Sequence, residues 1–229
     1  MTATDTAAAG LRAMIASGEL TPGAQLPPEP DLCARLGVSR GSLREAVRSL
    51  AALGMLEPRH GAGTFVSALR PAHMLAGFAA MVDVLPLDGI LELFDTRRAV
   101  ECQAAALAAA RADGKVVARL RELQERLSAT EDEQELHDLD HEFHTTICAA
   151  SGNETLAALA GVLRSRGRHY NVYGSAQGTA VRAASDQGHE ALIDALAAHD
   201  PTAAAAAAGA HLTRTERWLR QLRPAPEPG

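Results

Sequence analysis

Asp140 and His144 lie four residues apart in ELHDLDHEFHTTICAASGN, residues 135–153. On a helix that spacing leaves the two side chains about 40° apart on one flank, where a carboxylate and an imidazole can chelate a single metal ion. Leu136, Leu139, Phe143 and Ile147 gather within roughly 80° of arc and mark the face that must be buried. His137 and His141 form a rival pair at the same spacing. His141 points nearly opposite the apolar stripe and His137 lies further from it than Asp140, so they make the poorer inward chelate. His189 and His211 are each set among apolar positions of their own helical segments, where an imidazole serves either as a further ligand or as a satisfied core residue.

A second constellation is cationic. Arg40, Arg44 and Arg48 recur every four residues, each rotated about 40° from the last, and form a stripe roughly 120° from the apolar positions Leu43, Ala46, Val47, Leu50 and Leu53. A helix with one buried stripe and one guanidinium stripe suits a DNA major groove, where Arg bonds guanine O6 and N7 bidentately or holds phosphates. Ser39 is placed to cap this helix, and its free N–H groups, with Ser39 and Ser42 beside them, add a phosphate anchor.

The elements that must position these residues follow from the same pattern. Asp31–Leu36 reads as a short helix, Gly37 as the break, and Ser39 onward as a second helix ended by Gly54. Met55–Glu57 and Thr64–Val66 read as two short strands around a tip, Pro58–Gly63, whose Gly61 and Gly63 let the backbone approach a sugar-phosphate wall. Arg59 and His60 there offer donors to phosphate or to the minor groove. Upstream, residues 1–7 are expected to fray, and Leu11, Met14 and Ile15 to form the inner face of a helix that ends near Gly18 and packs under the recognition helix.

Downstream, Pro71 and Pro86 bracket a connector with a helix over His73–Val84. Periodic segments then run over Leu87–Arg111, Gly114–Thr130, Glu133–Ala150, Glu154–Tyr173, Arg182–His199 and Thr202–Leu222. The expected architecture is mostly α. A winged helix-turn-helix with a small β-hairpin wing occupies residues 1–69, a connector 70–86, and an antiparallel all-α bundle of six helices, seven with the connector, 87–222. A disordered tail is expected over 223–229.

Composition narrows the class. Hydrophobic residues make up 47% and aromatics only 3%, so aliphatic helix faces fill the core. The net charge of −6 is unevenly spread, since residues 32–66 hold five Arg against Glu45 and Glu57, a local excess of three positive charges. A small basic face on an acidic body suits site-specific DNA binding. Cys33, Cys102 and Cys148 are widely spaced and form no CxxC pair, which argues against a disulfide framework and points to small buried residues in a reduced, cytoplasmic compartment. No stretch approaches a membrane span, so no membrane partner is expected.

Read together, Leu26-Pro27, Glu29, Leu32, Leu36-Gly37-Val38-Ser39-Arg40, Leu43-Arg44-Glu45-Ala46, Leu50, Leu53-Gly54, Gly61 and Gly63-Thr64-Phe65-Val66 resemble the winged helix-turn-helix of the GntR family of bacterial transcription regulators. The resemblance implies operator contacts at Arg40 and Arg44. The family's usual Arg after Glu29 is replaced here by Pro30, which removes one expected contact. Residues 87–222 resemble the FCD effector domain of the FadR-type members through Asp140-His141-Glu142-Phe143-His144, Ser151-Gly152-Asn153, His189-xx-Leu192-Ile193-xx-Leu196 and His211-Leu212. That resemblance implies a divalent metal, zinc first and nickel or manganese as alternatives, on Asp140, His144, His189 and His211.

The function this predicts is a homodimeric, ligand-responsive repressor that grips a palindromic double-stranded operator and is nucleoid-associated when DNA-bound. A small carboxylate effector would bind at the metal, with Arg97 as second grip because a guanidinium fork matches a carboxylate. Arg97 paired with Glu101 at i+4 is the simpler reading of the same residue, and Arg98, rotated about 100° away, ranks lower. Two alternatives stand beside this reading. One is a regulator for which the ion itself is the signal. The other is a metal-dependent hydrolase, for which Glu142 and Glu190 are the only nearby bases.

Overall fold

A computed structural model of the chain describes residues 1–70, 75–166, 170 and 178–225. The fold divides into two compact units, residues 1–78 and 79–229.

The first unit is built from α1 (Ala3–Ala16), α2 (Glu29–Leu36), α3 (Arg40–Ala52) and the antiparallel hairpin β1 (Leu56–Arg59) and β2 (Gly63–Val66). Residues 1–7, expected to fray, instead begin the first helix. Thr2 Oγ1 accepts from the Asp5 amide at 3.1 Å, Asp5 Oδ2 accepts from the Thr2 amide at 2.8 Å, and Ala7 is wholly buried. The Thr2-x-x-Asp5 pattern is a capping box, a local signal strong enough to hold a terminus. Leu11, Met14, Leu32, Leu43, Ala46 and Leu50 close the core, and α1 packs against α3. Leu53 is the exception on α3. It lies past the helix end and is 51% exposed, because the chain turns at Gly54, whose φ is +71°. The hairpin pairs Leu56 with Val66 and Arg59 with Gly63, so the strands reach further toward the tip than expected and only His60, Gly61 and Ala62 form the turn.

Helix α4 (Ala76–Val82) spans the division, and the second unit holds α5 (Leu87–Glu92), α6 (Phe94–Arg111), α7 (Gly114–Ala129), α8 (Glu133–Ala150), α9 (Glu154–Ser165), α10 (Gly178–Ala197) and α11 (Pro201–Leu222). The segment 87–111, expected as one helix, is two, broken at Leu93. The expected ends of two elements, residues 73–74 of the connector helix and 167–169 and 171–173 after α9, fall outside the described residues, as does the tail from 226 on. Asp113, Asp132, Asn153 and Asp200 each cap the helix that follows by accepting from its first backbone N–H groups. Four alanines of α6 (104, 105, 108 and 109) are buried, as are Ala204 and Ala208 of α11, and these two helices make the most extensive packing of the fold. Small side chains let the backbones approach closely, so the alanine run Ala203–Ala208 serves packing as well as helix propensity.

Candidate functional site

In the first unit the cationic stripe is exposed. Arg44 forms a bidentate pair with Glu29, at 2.9 Å and 3.0 Å for the shortest contact of each nitrogen, and Arg48 pairs with Glu45 at 2.9 Å. Arg40 has no ion-pair partner among the described residues. Exposed pairs of this kind are weak and screened by solvent, so phosphates or base edges displace the carboxylates readily. Ser39 caps α3 through the Ser42 amide at 3.1 Å, and the two hydroxyls lie 3.0 Å apart. On the wing, Arg59 stacks over Phe65 with its guanidinium 4.3 Å from the ring centroid and reaches Glu57 at 3.2 Å. His60 is exposed at the tip, and Gly61 and Gly63 have φ of +71° and +100°. Sequence reasoning missed Gln25, whose side chain donates to the Ala62 carbonyl at 2.8 Å and latches the tip. Glycine stands at 63 because its φ of +100° strains any L side chain, and a Cβ there would also come within 2.7 Å of that amide.

In the second unit α8, α10 and α11 bring Asp140, His144, His189 and His211 together, with one ligand atom from each lying within 4.8 Å of the others. His144 Nε2 is 3.3 Å from His189 Nε2 and 3.7 Å from Asp140 Oδ1, which is 3.5 Å from His189 Nε2. A metal holding N and O ligands at roughly 2.0–2.2 Å spaces neighbouring ligand atoms about 3–3.5 Å apart, so Asp140, His144 and His189 lie near that spacing, while the wider separations of the cluster, up to 4.8 Å, would close around an ion. Neither His137 nor His141 belongs to it.

The electrostatics agree with that fit. Burial holds the His144 and His211 imidazoles well below their usual range, so both keep a free lone pair. Burial pushes the Asp140 carboxyl up, but its neighbours outweigh that and hold it well below the usual carboxylate range, the Arg164 guanidinium being the one that stays charged beside neutral imidazoles. His189 Nδ1 lies 2.8 Å from Gln124 Oε1, a pure acceptor, so the ring donates from Nδ1 and turns the Nε2 lone pair to the cluster. Phe143 stacks on His189 with centroids 4.2 Å apart and holds the ring plane. His211 Nδ1 is buried without a hydrogen-bond partner, an unmet polar group of the kind that a cation or ligand satisfies.

Behind the cluster is a buried ion network. Glu101 accepts from Arg97 Nε at 2.9 Å and from Arg164 Nη1 at 2.8 Å, while Arg164 Nη2 donates to Asp140 Oδ2 at 3.0 Å. Both readings of Arg97 therefore hold in part. It pairs with Glu101 at i+4, yet it is 4% exposed and lines a cavity of about 60 Å³ with Asp140, Arg164, His211, Arg214 and Trp218. Arg98 is instead a brace between α6 and α11, bonded to Asp95, Thr213 and Glu216. Glu101, Gln124, Arg164, Arg214 and Trp218 were not picked out as site residues from the sequence. The available signal was polar residues inside apolar runs, as in Leu120-x-x-Leu123-Gln124-x-x-Leu127. Of the three cysteines only Cys148 is buried, its thiol pushed up to about 12 by burial and the nearby Glu101. All three are free.

The comparisons with known proteins agree with this two-part architecture. The model for "Bacterial regulatory proteins, gntR family" matches residues 3–66 and that for "FCD domain" matches residues 92–214. The HTH-type transcriptional regulator LutR of Bacillus subtilis is 28% identical over 212 residues, covering 90% of this chain and 96% of LutR. The Glc operon transcriptional activator of Escherichia coli is 33% identical over 157 residues, 65% of this chain and 61% of the activator. Among solved structures, Streptococcus agalactiae GntR superposes with a TM-score of 0.63 at 28% identity, covering 93% of this chain and 99% of that one. No helix is long and apolar enough to cross a membrane among the described residues. A recognition helix with an exposed guanidinium face, a glycine-tipped wing and a His/Asp cluster in an all-helical second unit thus accompany matches along nearly the whole chain, and the protein belongs to the GntR family of bacterial transcription regulators, with an FCD domain as its effector module.

Proposed function

We propose that the protein is a homodimeric repressor whose operator affinity falls when a small organic acid binds in its FCD domain. The supporting observation is the convergence of Asp140, His144, His189 and His211 beside a cavity lined by arginines. These four residues would hold a divalent cation, with zinc favoured by three imidazoles and one carboxylate and nickel or manganese as alternatives. When bound there, the ion supplies positive charge and open positions for a carboxylate. Arg97 faces the same cavity as second grip, and Arg164 orients Asp140 so that Oδ1 faces the imidazoles. Gln124 fixes the tautomer of His189. Binding in this cavity shifts the packing of α6, α8 and α11, and the shift lowers the population competent for the operator.

Fluorescence anisotropy of a promoter fragment tests the proposal. Zinc-loaded protein should bind with a midpoint that rises when small hydroxy acids are added. A midpoint moved by zinc alone and indifferent to acids would select the ion as the signal. A reporter should rise when the regulator is deleted, whereas a fall would assign activation, as for the Glc operon relative.

Two substitutions probe named residues. On the DNA side, Ser39, Arg40, Ser42, Arg44, Arg48, Arg59, His60, Gly61 and Gly63 form the proposed interface. Arg44→Ala should weaken specific operator binding by about 1–3 kcal/mol with little change on unrelated DNA, if its guanidinium reads a base. Unchanged specific affinity would remove Arg44 from base reading. In the FCD domain, Gln124→Leu should lower zinc affinity about 10–100-fold in a chelator competition, because the outer partner that orients His189 is lost. Wild-type affinity in that variant would show the Gln124 bond to be incidental.

A further inference from the structure

The cavity beside the His/Asp cluster has more positive charge than one carboxylate can answer. Arg97 gives its Nε to Glu101, and Arg164 is divided between Glu101 and Asp140. Arg214, three residues after His211 on α11, lines the same cavity and has no acidic partner among the described residues. Three guanidiniums thus face two carboxylates, leaving one positive charge, and a divalent ion on the cluster would raise the excess to three.

The unmet hydrogen-bonding groups lie in the same place. Arg164 Nε, Arg214 Nε and His211 Nδ1 are buried without a partner, and all three residues line this cavity. Arg164 as a whole is only 8% exposed, so its orphan N–H has little access to bulk water. Buried charged donors in this condition are costly unless something answers them. The position of Arg214 is also built. A Cβ at Gly188 on α10 would come within 2.7 Å of both Arg214 Nη2 and His211 Nδ1, so the bare glycine is what lets the two side chains lie together.

The geometry points to an effector with two acidic groups, one at the cluster and the other on Arg214, which makes Arg214 the residue that separates dicarboxylic from monocarboxylic hydroxy acids. This rests on the proposal that the FCD domain binds a metal and a small organic acid, and it narrows the class of acid. A monoacid leaves two of the three excess charges unanswered, whereas a diacid leaves one. The volume of about 60 Å³ suits a short acid and excludes a long acyl chain.

The chain's single tryptophan, Trp218, lines the cavity and reports its occupancy. Zinc-loaded full-length protein would be titrated with two matched pairs, tartronate with lactate and malate with α-hydroxybutyrate, following Trp218 fluorescence and checking zinc content after gel filtration. In at least one pair the diacid should bind about tenfold tighter or more, as one added charge-assisted bond predicts. Arg214→Gln should bring that ratio close to one, and Arg214→Lys should restore part of it. Diacids that bind no tighter than their partners, or a preference that survives in Arg214→Gln, would overturn the assignment while leaving the metal-and-acid proposal standing. Retained zinc with no response to any of the four acids would overturn both.

Discussion

His189→Ala protein should fail to retain stoichiometric zinc through gel filtration, with an affinity reduced by more than the roughly 100-fold that loss of an outer-sphere partner can cost. The reason is geometric. His189 Nε2 lies 3.3 Å from His144 Nε2 and 3.5 Å from Asp140 Oδ1, so its removal opens one side of a cluster whose other members come from α8 and α11. The substitution also removes a ring that is 1% exposed and stacked on Phe143, so His189→Gln, which fills more of the space, separates lost ligation from lost packing. Both variants should lose zinc, and the glutamine variant should unfold closer to the wild-type temperature. In wild-type protein, chelation should lower the melting temperature, since an ion at a thousandfold its Kd stabilises the fold by about 4 kcal/mol. Full zinc retention in either variant would take His189 out of the ligand set.

The second large effect lies in the ion network. Arg164→Leu should destabilise the protein by about 3–5 kcal/mol, measured by denaturant unfolding, because it leaves the buried Glu101 with only Arg97 and strips Asp140 Oδ2 of its donor. Glu101→Gln in the same background should cost more still, because the buried Arg97 guanidinium then keeps no carboxylate partner. A loss below about 1 kcal/mol would mean that the network behaves as an exposed pair does. The pH dependence carries a sign. Burial raises the Glu101 pKa, but Arg97 and Arg164 outweigh it and hold it below its ordinary value of 4.5. The unfolded chain therefore binds this proton first on acidification. The contribution of Glu101 is complete above 4.5 and disappears as pH falls through the lower folded value. In Arg164→Leu only Arg97 still lowers it and the depression is smaller, so the stability gap between wild type and variant should narrow in acid. A gap independent of pH would contradict the assignment of this titration to Glu101.

Stability and zinc retention probe different bonds of one side chain pair. Asp140 presents Oδ1 to the imidazoles and Oδ2 to Arg164, so the carboxylate proposed as a metal ligand also ends the ion network. The proposed occupancy of the cavity would therefore act on α6 through Arg97 and Glu101, on α9 through Arg164, and on α11 through His211 and Arg214. Such shared residues give an effector leverage on helix packing without requiring a large movement at the site.

The recognition module was legible in sequence because its determinants are local. Ser39 caps α3, Gly37 takes the left-handed turn at φ +66°, and four-residue spacing places the three arginines on one face whatever else the chain does. The error at residues 1–7 came from passing over an equally local signal, the Thr2-x-x-Asp5 capping box. The His/Asp cluster was legible in part. Asp140 and His144 share a helix, so periodicity reads their relation directly. His189 and His211 lie 45 and 67 residues beyond His144, a separation over which spacing carries no distance information, so the residues alone left each as ligand or core histidine and the family resemblance favoured the ligand reading.

What the sequence by itself determined is thus the set of elements and the faces they present, since caps, breaks and period act within a few residues. Tertiary structure alone decided which polar residues of those faces meet. Arg97 is the plainest case: the same i+4 pair with Glu101 would be a weak surface contact on an isolated helix, but Arg164, brought in from α9 across 63 residues, buries it and ties it to Asp140. Burial is a property of the whole packed chain. It turns Gln124, Glu101 and Arg214 from ordinary helix polars into partners that must be satisfied, and no local pattern records it.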